Sequence, residues 1–152
     1  MSHEYTELFI KQVQDFSRAI DYLEIRNDID TSRLGYLGHS WGGRMGGIIP
    51  AVEDRLGLCM LNVGGFEPYL EFLPDIDAIN YVPRIKIPVL MLNGRYDNNF
   101  PLETSVKSFF NLLGTSKEDK SLIVYETDHY VPKSEMIKEI LAWCDKYLGP
   151  VR

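Results

Sequence analysis

Phe9, Val13, Phe16, Ile20 and Leu23 recur at spacings of four and three, which lays one apolar stripe along a helix from Thr6 to about Arg26. A polar turn, Asn27-Asp28-Ile29-Asp30-Thr31-Ser32, separates it from four short apolar runs, Leu34 to Leu37, Leu56 to Val63, Pro88 to Leu92 and Ser121 to Tyr125, which predict strands. The second of these is apolar on both faces, as a buried parallel strand must be. Helical spacing fills the intervals. A helix is expected from Arg44 to about Val52, where Gly46 and Gly47 cost helix stability and point to close packing. Another opens at Pro101, with Val106, Phe109, Phe110 and Leu113 facing inward and Gly114 at its end. The last opens at Pro132, turns Ile137, Ile140, Leu141, Cys144 and Leu148 inward, and stops at Gly149-Pro150. The stretch from Phe66 to Lys86, with Pro68, Pro74 and Pro83, is less regular and predicts one short helix around Asp77 to Tyr81.

Strands that alternate with helices imply βαβ units. The fold class is therefore α/β, a short parallel sheet of about four strands with helices on both faces. The three crossovers put their helices on one face, and the C-terminal helix alone covers the other. The chain of 152 residues forms one domain, 1–152, with no repeat or interdomain linker. An apolar content of 45% and a charged content of 25% are ordinary for a globular protein. The net charge of −6 argues against nucleic acid, whose phosphates call for a basic surface. No run is long and apolar enough to span a bilayer, and Met1-Ser2-His3-Glu4-Tyr5 has neither the basic start nor the apolar stretch of a secretion signal. Cys59 and Cys144 fall in apolar elements and read as reduced core thiols, so a cytoplasmic setting is expected.

Ligand sites in such a sheet lie beyond the carboxyl ends of the strands. After the first strand comes Gly38-His39-Ser40-Trp41-Gly42-Gly43, a G-x-S-x-G turn between strand and helix. Such a turn holds its serine in a strained conformation clear of the sheet, and Gly38 and Gly42 are expected to avoid collisions that a Cβ would make. Asp97 follows the third strand and His129 the fourth. A serine hydroxyl needs an adjacent base to attack, imidazole suits that task near neutral pH, and a carboxylate behind it fixes the tautomer. Ser40, Asp97 and His129 thus supply nucleophile, acid and base. Asp128, Asp75 and Asp77 compete for the acid role, and His39 for the base, although His39 suits a structural part better and His3 falls in a loose terminus. Among aromatic residues near these loops, Trp41, Phe66, Tyr69, Phe72, Tyr96, Phe100 and Tyr130 either line an acyl pocket or pack as core. Arg44 and Arg95 either hold a substrate carboxylate or, as the better reading, make surface ion pairs. No metal or cofactor is expected: His and Cys nowhere cluster at ligand spacing, and Gly42 to Gly47 lacks the lysine of a phosphate loop.

With these residues in place, the chain resembles the C-terminal half of an α/β-hydrolase, close to the dienelactone-hydrolase and prolyl-oligopeptidase-like branches. The resemblance runs from the helix before the first strand to the terminal helix. Ser40, Asp97 and His129 match the family's nucleophile, acid and base, and Trp41 matches the residue whose backbone N–H forms half of the oxyanion hole. It implies hydrolysis of small-molecule carboxylic esters through an acyl-serine intermediate, without a cofactor. A full member begins with about four further strands, which normally bring the second oxyanion donor. Its substitutes here are a backbone N–H of Gly64-Gly65-Phe66 or a group from a second subunit. Without those strands the first strand becomes an edge and the sheet's second face is partly bare, which implies a homodimer through either. A peptidase or amidase, and a hydrolase-derived binding or assembly module with an idle triad, are the alternatives.

Overall fold

A computed structural model describes residues 3–150; Met1 and Ser2, the start of the segment read as lacking a secretion signal, lie outside the described residues, as do Val151 and Arg152. Four strands, β1 (Leu34–His39), β2 (Leu56–Asn62), β3 (Val89–Gly94) and β4 (Lys120–Tyr125), form one parallel sheet in the order β1-β2-β3-β4. This is the expected α/β architecture. Among the described residues five α-helices accompany it, α1 (His3–Glu24), α2 (Trp41–Met45), α3 (Ile49–Val52), α4 (Lys107–Leu112) and α5 (Lys133–Tyr147), and a π-helical turn, Leu102–Val106, leads into α4.

The alternation of side chains along the strands builds two cores. Tyr36, Cys59, Leu61, Val89 and Met91 point to one face, where Phe9 and Ile20 of α1, Met45 of α2, Ile49 of α3 and Phe109 of α4 complete the larger cluster. Leu58, Met60, Leu90 and Leu92 point to the other, where α5 supplies Met136, Ile140, Trp143, Cys144, Tyr147 and Leu148. Both cysteines are free, Cys59 fully buried and Cys144 partly. Arg55, at the entry to β2, joins this sheet to α1: it donates to Glu53 at 2.6 Å, Asp21 at 2.8 Å and Glu24 at 3.0 Å. The Glu53 carboxyl is held down at about 2, chiefly by its hydrogen bonds from Arg55.

Four expectations are corrected. The helix from Arg44 to Val52 is two short helices, because the chain between them packs too tightly to continue. A Cβ on Gly46 would stand 2.2 Å from Leu61, and one on Gly47 would stand 2.9 Å from both Ala78 and Phe109. The single helix around Asp77 to Tyr81 is instead three 3₁₀ turns, Pro74–Ile76, Ala78–Asn80 and Val82–Arg84, two of them with proline at the first or second position. His3 is not in a loose terminus but is the first residue of α1. Last, the inward stripe of α5 is displaced: Trp143 and Tyr147, their rings 4.8 Å apart and tilted by 54°, pack against the sheet with Ile140 and Cys144, and Ile137 and Leu141 face outward, 43% and 58% exposed. Leu37, on the edge strand β1, is likewise 55% exposed. No helix among the described residues is long and apolar enough to cross a membrane.

Candidate active site

The turn after β1 is built by steric exclusion. Ser40 has φ 52° and ψ −104°, an unfavourable conformation for a residue with a side chain. Its N–H donates to the Asn62 carbonyl at 3.0 Å, and Arg44 N–H closes the first helical turn on the Ser40 carbonyl at 2.9 Å. Gly38 is required, since a Cβ there would meet the Gly42 carbonyl oxygen at 2.2 Å. Gly42 is not: its Cβ would make only an ordinary contact, 3.8 Å from the Tyr36 hydroxyl. The second required glycine is Gly43, whose Cβ would stand 2.8 Å from Gly64 Cα. The Tyr36 hydroxyl anchors the same helix, donating to the Gly42 carbonyl at 2.6 Å, and burial pushes its pKa up.

This close approach yields the first prediction. Gly64→Ala introduces a Cβ 2.7 Å from the Gly43 carbonyl group, backbone that has nowhere to move. It is expected to cost about 1–3 kcal/mol of stability. Gly42→Ala is expected to be neutral or slightly stabilising, since glycine inside a helix costs about 0.5–1 kcal/mol relative to alanine. Chemical denaturation of the two variants checks the contrast.

The loops after β3 and β4 are tied to one another. Arg95 N–H donates to the Tyr125 carbonyl at 2.8 Å and Tyr96 N–H to the Thr127 carbonyl at 2.9 Å. Gly94 lets them close, because a Cβ there would fall 1.8 Å from the Asp128 carbonyl oxygen. Asp97 is fully buried and its two oxygens have separate partners. Oδ1 accepts the N–H groups of Asn99 at 2.8 Å and Phe100 at 3.1 Å, and Oδ2 lies 2.8 Å from His129 Nδ1. His129 Nε2 in turn lies 2.8 Å from Ser40 Oγ. The fold therefore brings the three residues into one hydrogen-bonded line, a geometry in which imidazole can take a proton from the hydroxyl while the carboxylate holds its far nitrogen.

The competing residues have other partners. His39 Nδ1 lies 2.9 Å from Asn62 Nδ2 and the Asp77 carboxylate accepts the Ile79 N–H, while the Tyr81 hydroxyl donates to the Asp75 backbone carbonyl, which leaves that carboxylate's role untouched. Arg95 makes the expected surface pair, with Glu126 at 2.6 Å. Arg44 does not: it is buried, only 6% exposed. The signal was its place four residues after Ser40 on a helix that the crossover presses against the sheet. Trp41 opens α2, so its backbone N–H belongs to the first turn, where no intrahelical acceptor exists. Gly64 and Gly65 pack against Gly43 and Ser105, and the Phe66 carbonyl accepts the Ser105 hydroxyl. Beside Ser40 lies an open cleft of about 300 Å³ lined by Tyr5, Trp41, Arg44, Tyr69 and Phe100. Among the expected aromatics, Phe66 and Phe72 line an adjoining cavity of about 470 Å³, while Tyr96 donates to Glu126 at the surface. Among the described residues, no three His, Cys, Asp or Glu are grouped to hold a metal ion.

Comparison with known proteins adds to this geometry. The model of the serine hydrolase (FSH1) family matches residues 3–140. The chain is 25% identical over 140 residues to bis(hydroxyethyl) terephthalate hydrolase of Streptomyces coelicolor, across 86% of this chain and 41% of that protein. It is 24% identical over 155 residues to cutinase 2 of Thermobifida cellulosilytica, across 90% and 52%. The chain spans about half the length of the curated relatives it matches. Among solved structures, a cold-adapted esterase from an Arctic intertidal metagenomic library superposes with a TM-score of 0.74 at 26% identity, over 90% of this chain and 57% of its own. An esterase of Pyrococcus furiosus gives 0.75 at 17% identity, over 91% and 63%, a likeness of fold.

Proposed function

The chain belongs to the serine hydrolase (FSH1) family, within the α/β-hydrolase superfamily, and from that premise we propose that it cleaves short-chain carboxylic esters through an acyl-serine intermediate. Residues 1–152 act in this reading as one truncated hydrolase unit. The observation that carries it is the continuous line from Ser40 Oγ through the imidazole of His129 to Asp97. Ser40 attacks the ester carbonyl and His129 Nε2 takes its proton. The tetrahedral oxyanion is held by the Trp41 backbone N–H. Collapse expels the alcohol, which receives the proton from His129. Water then attacks the acyl-serine with His129 again as base, releasing the carboxylic acid and restoring Ser40. One oxyanion donor is typically worth about 10²–10³ in rate, so turnover that relies on the Trp41 N–H alone is expected to be slow. The test is twofold: a fluorophosphonate probe should label Ser40 in the folded protein, and 4-nitrophenyl acetate should release nitrophenol. Absence of both, in protein with an intact thermal transition, would sink the hydrolase reading in favour of an idle binding module.

The reading extends to a partner. Parallel sheets are ordinarily covered on both faces and paired along their strands. β1 carries the nucleophile yet is an edge, with Leu37 exposed on it. A second copy meeting this edge in an isologous, two-fold contact covers both. Light scattering at micromolar concentration is expected to give twice the 17.5 kDa of one chain, and Leu37→Lys to return it to one. A monomer in the unmodified protein overturns the dimer.

A further inference from the structure

Arg44 makes little use of a strong set of donors. Its guanidinium carbon lies 4.3 Å from the Phe72 ring centre and 4.9 Å from those of Phe9 and Trp41, a slot of three aromatic faces. Nη1 donates to the Tyr5 hydroxyl over a long 3.4 Å and stands 3.7 Å from Glu67 Oε2, an ion pair too wide for a hydrogen bond. Nη2 is buried and has no acceptor. A charged donor left unmatched away from water is costly, so such groups ordinarily have partners. Arg44 also lines both the cleft that contains Ser40 and the larger cavity beside it.

We propose that the Arg44 guanidinium is a substrate subsite, one helical turn from the nucleophile, that takes an uncharged oxygen acceptor carried by the acyl group, such as the carbonyl of a second ester. This rests on the hydrolase reading and assigns its substrate class. Charge decides between a neutral acceptor and a carboxylate. Glu67 already stands at ion-pair distance from Arg44, and Glu71 and Asp77 line the same cavity. A further anion would meet three carboxylates for one cation, whereas a carbonyl oxygen accepts from Nη2 at no such cost. The three rings and Leu70 supply apolar contact for the methylenes between. Phe72, the nearest of the rings, sits on the irregular segment before Pro74 and lines the larger cavity together with Arg44.

The test compares three nitrophenyl esters of matched length: the methyl glutarate diester, the heptanoate and the hydrogen glutarate. The unmodified protein is expected to favour the diester over the heptanoate by about tenfold in kcat/KM, the return on one charge-assisted hydrogen bond, and to disfavour the hydrogen glutarate. Arg44→Met keeps the volume and is expected to bring the first ratio close to one, while Arg44→Lys retains part of it. A ratio near one in the unmodified protein, a ratio that survives Arg44→Met, or preference for the hydrogen glutarate overturns the subsite and leaves the hydrolase reading standing. Binding is read separately, by titrating dimethyl glutarate into Ser40→Ala and following the Trp41 indole resonance. A shift that disappears when Arg44→Met is added supports the subsite even if no ester is turned over; no shift overturns it. Thermal melts confirm that each variant is folded, and if Arg44→Met is not, the ratio in the unmodified protein and in Arg44→Lys decides.

Discussion

Ser40→Ala is expected to abolish fluorophosphonate labelling and to lower ester turnover by at least about 10⁴-fold, with little change in stability. The hydroxyl is part of no structural network: Ser40 Oγ bonds to His129 Nε2 and makes no cap to α2. The backbone bonds that hold the turn, Ser40 N–H to Asn62 and Arg44 N–H to Ser40, are indifferent to the side chain. Removal of the hydroxyl therefore separates chemistry from folding. A melting temperature close to that of the unmodified protein, measured with the loss of both signals, is the expected result. Labelling that persists would place the reactive residue elsewhere.

Asp97→Asn is expected to lower turnover by about 10⁴-fold, more than its loss of charge alone suggests. The reason lies in the division of labour between the two oxygens. The N–H groups of Asn99 and Phe100 both point at Oδ1, so an asparagine must place its carbonyl oxygen there. Its NH₂ group then faces His129 Nδ1, where it can only donate. This fixes the tautomer with the proton on Nε2, and the nitrogen that should accept from Ser40 becomes a donor. Fluorophosphonate labelling is expected to slow in parallel, because it depends on the same activation. Asp97→Ala, with no imposed tautomer, tests the explanation: it should be no worse than Asp97→Asn in turnover, though less stable.

Much of this arrangement was legible from residue order. Alternating apolar runs and helical stripes specified four parallel strands, because the period of hydrophobic burial differs between the two element types. Strand ends located the three chemical residues, because loops at the carboxyl ends of parallel strands share one rim. What escaped was decided by packing between distant residues. The phase of α5 depended on how Trp143 and Tyr147 pack against the sheet, which no local pattern encodes. The break between α2 and α3 depended on the approach of Leu61 and Phe109 to two glycines. By its place in the motif Gly42 looks indispensable and Gly43 does not, because the tight neighbour, Gly64, lies on the next strand's exit. Arg44 reads as a surface cation in isolation and becomes an interior one only when Phe9 and Phe72 close over it.

The position of β1 has a mechanical consequence. Its ladder to β2 runs along one side only, and that of β4 to β3 does the same at the opposite margin, so Ser40 and His129 follow the two outer strands and only Asp97 follows an inner one, β3. Local fraying of either margin is expected to part Ser40 Oγ from His129 Nε2 while most of the hydrophobic interior stays closed. Warming is therefore expected to slow fluorophosphonate labelling of Ser40 at a lower temperature than it melts the molecule, and anything that clasps either margin to narrow the gap.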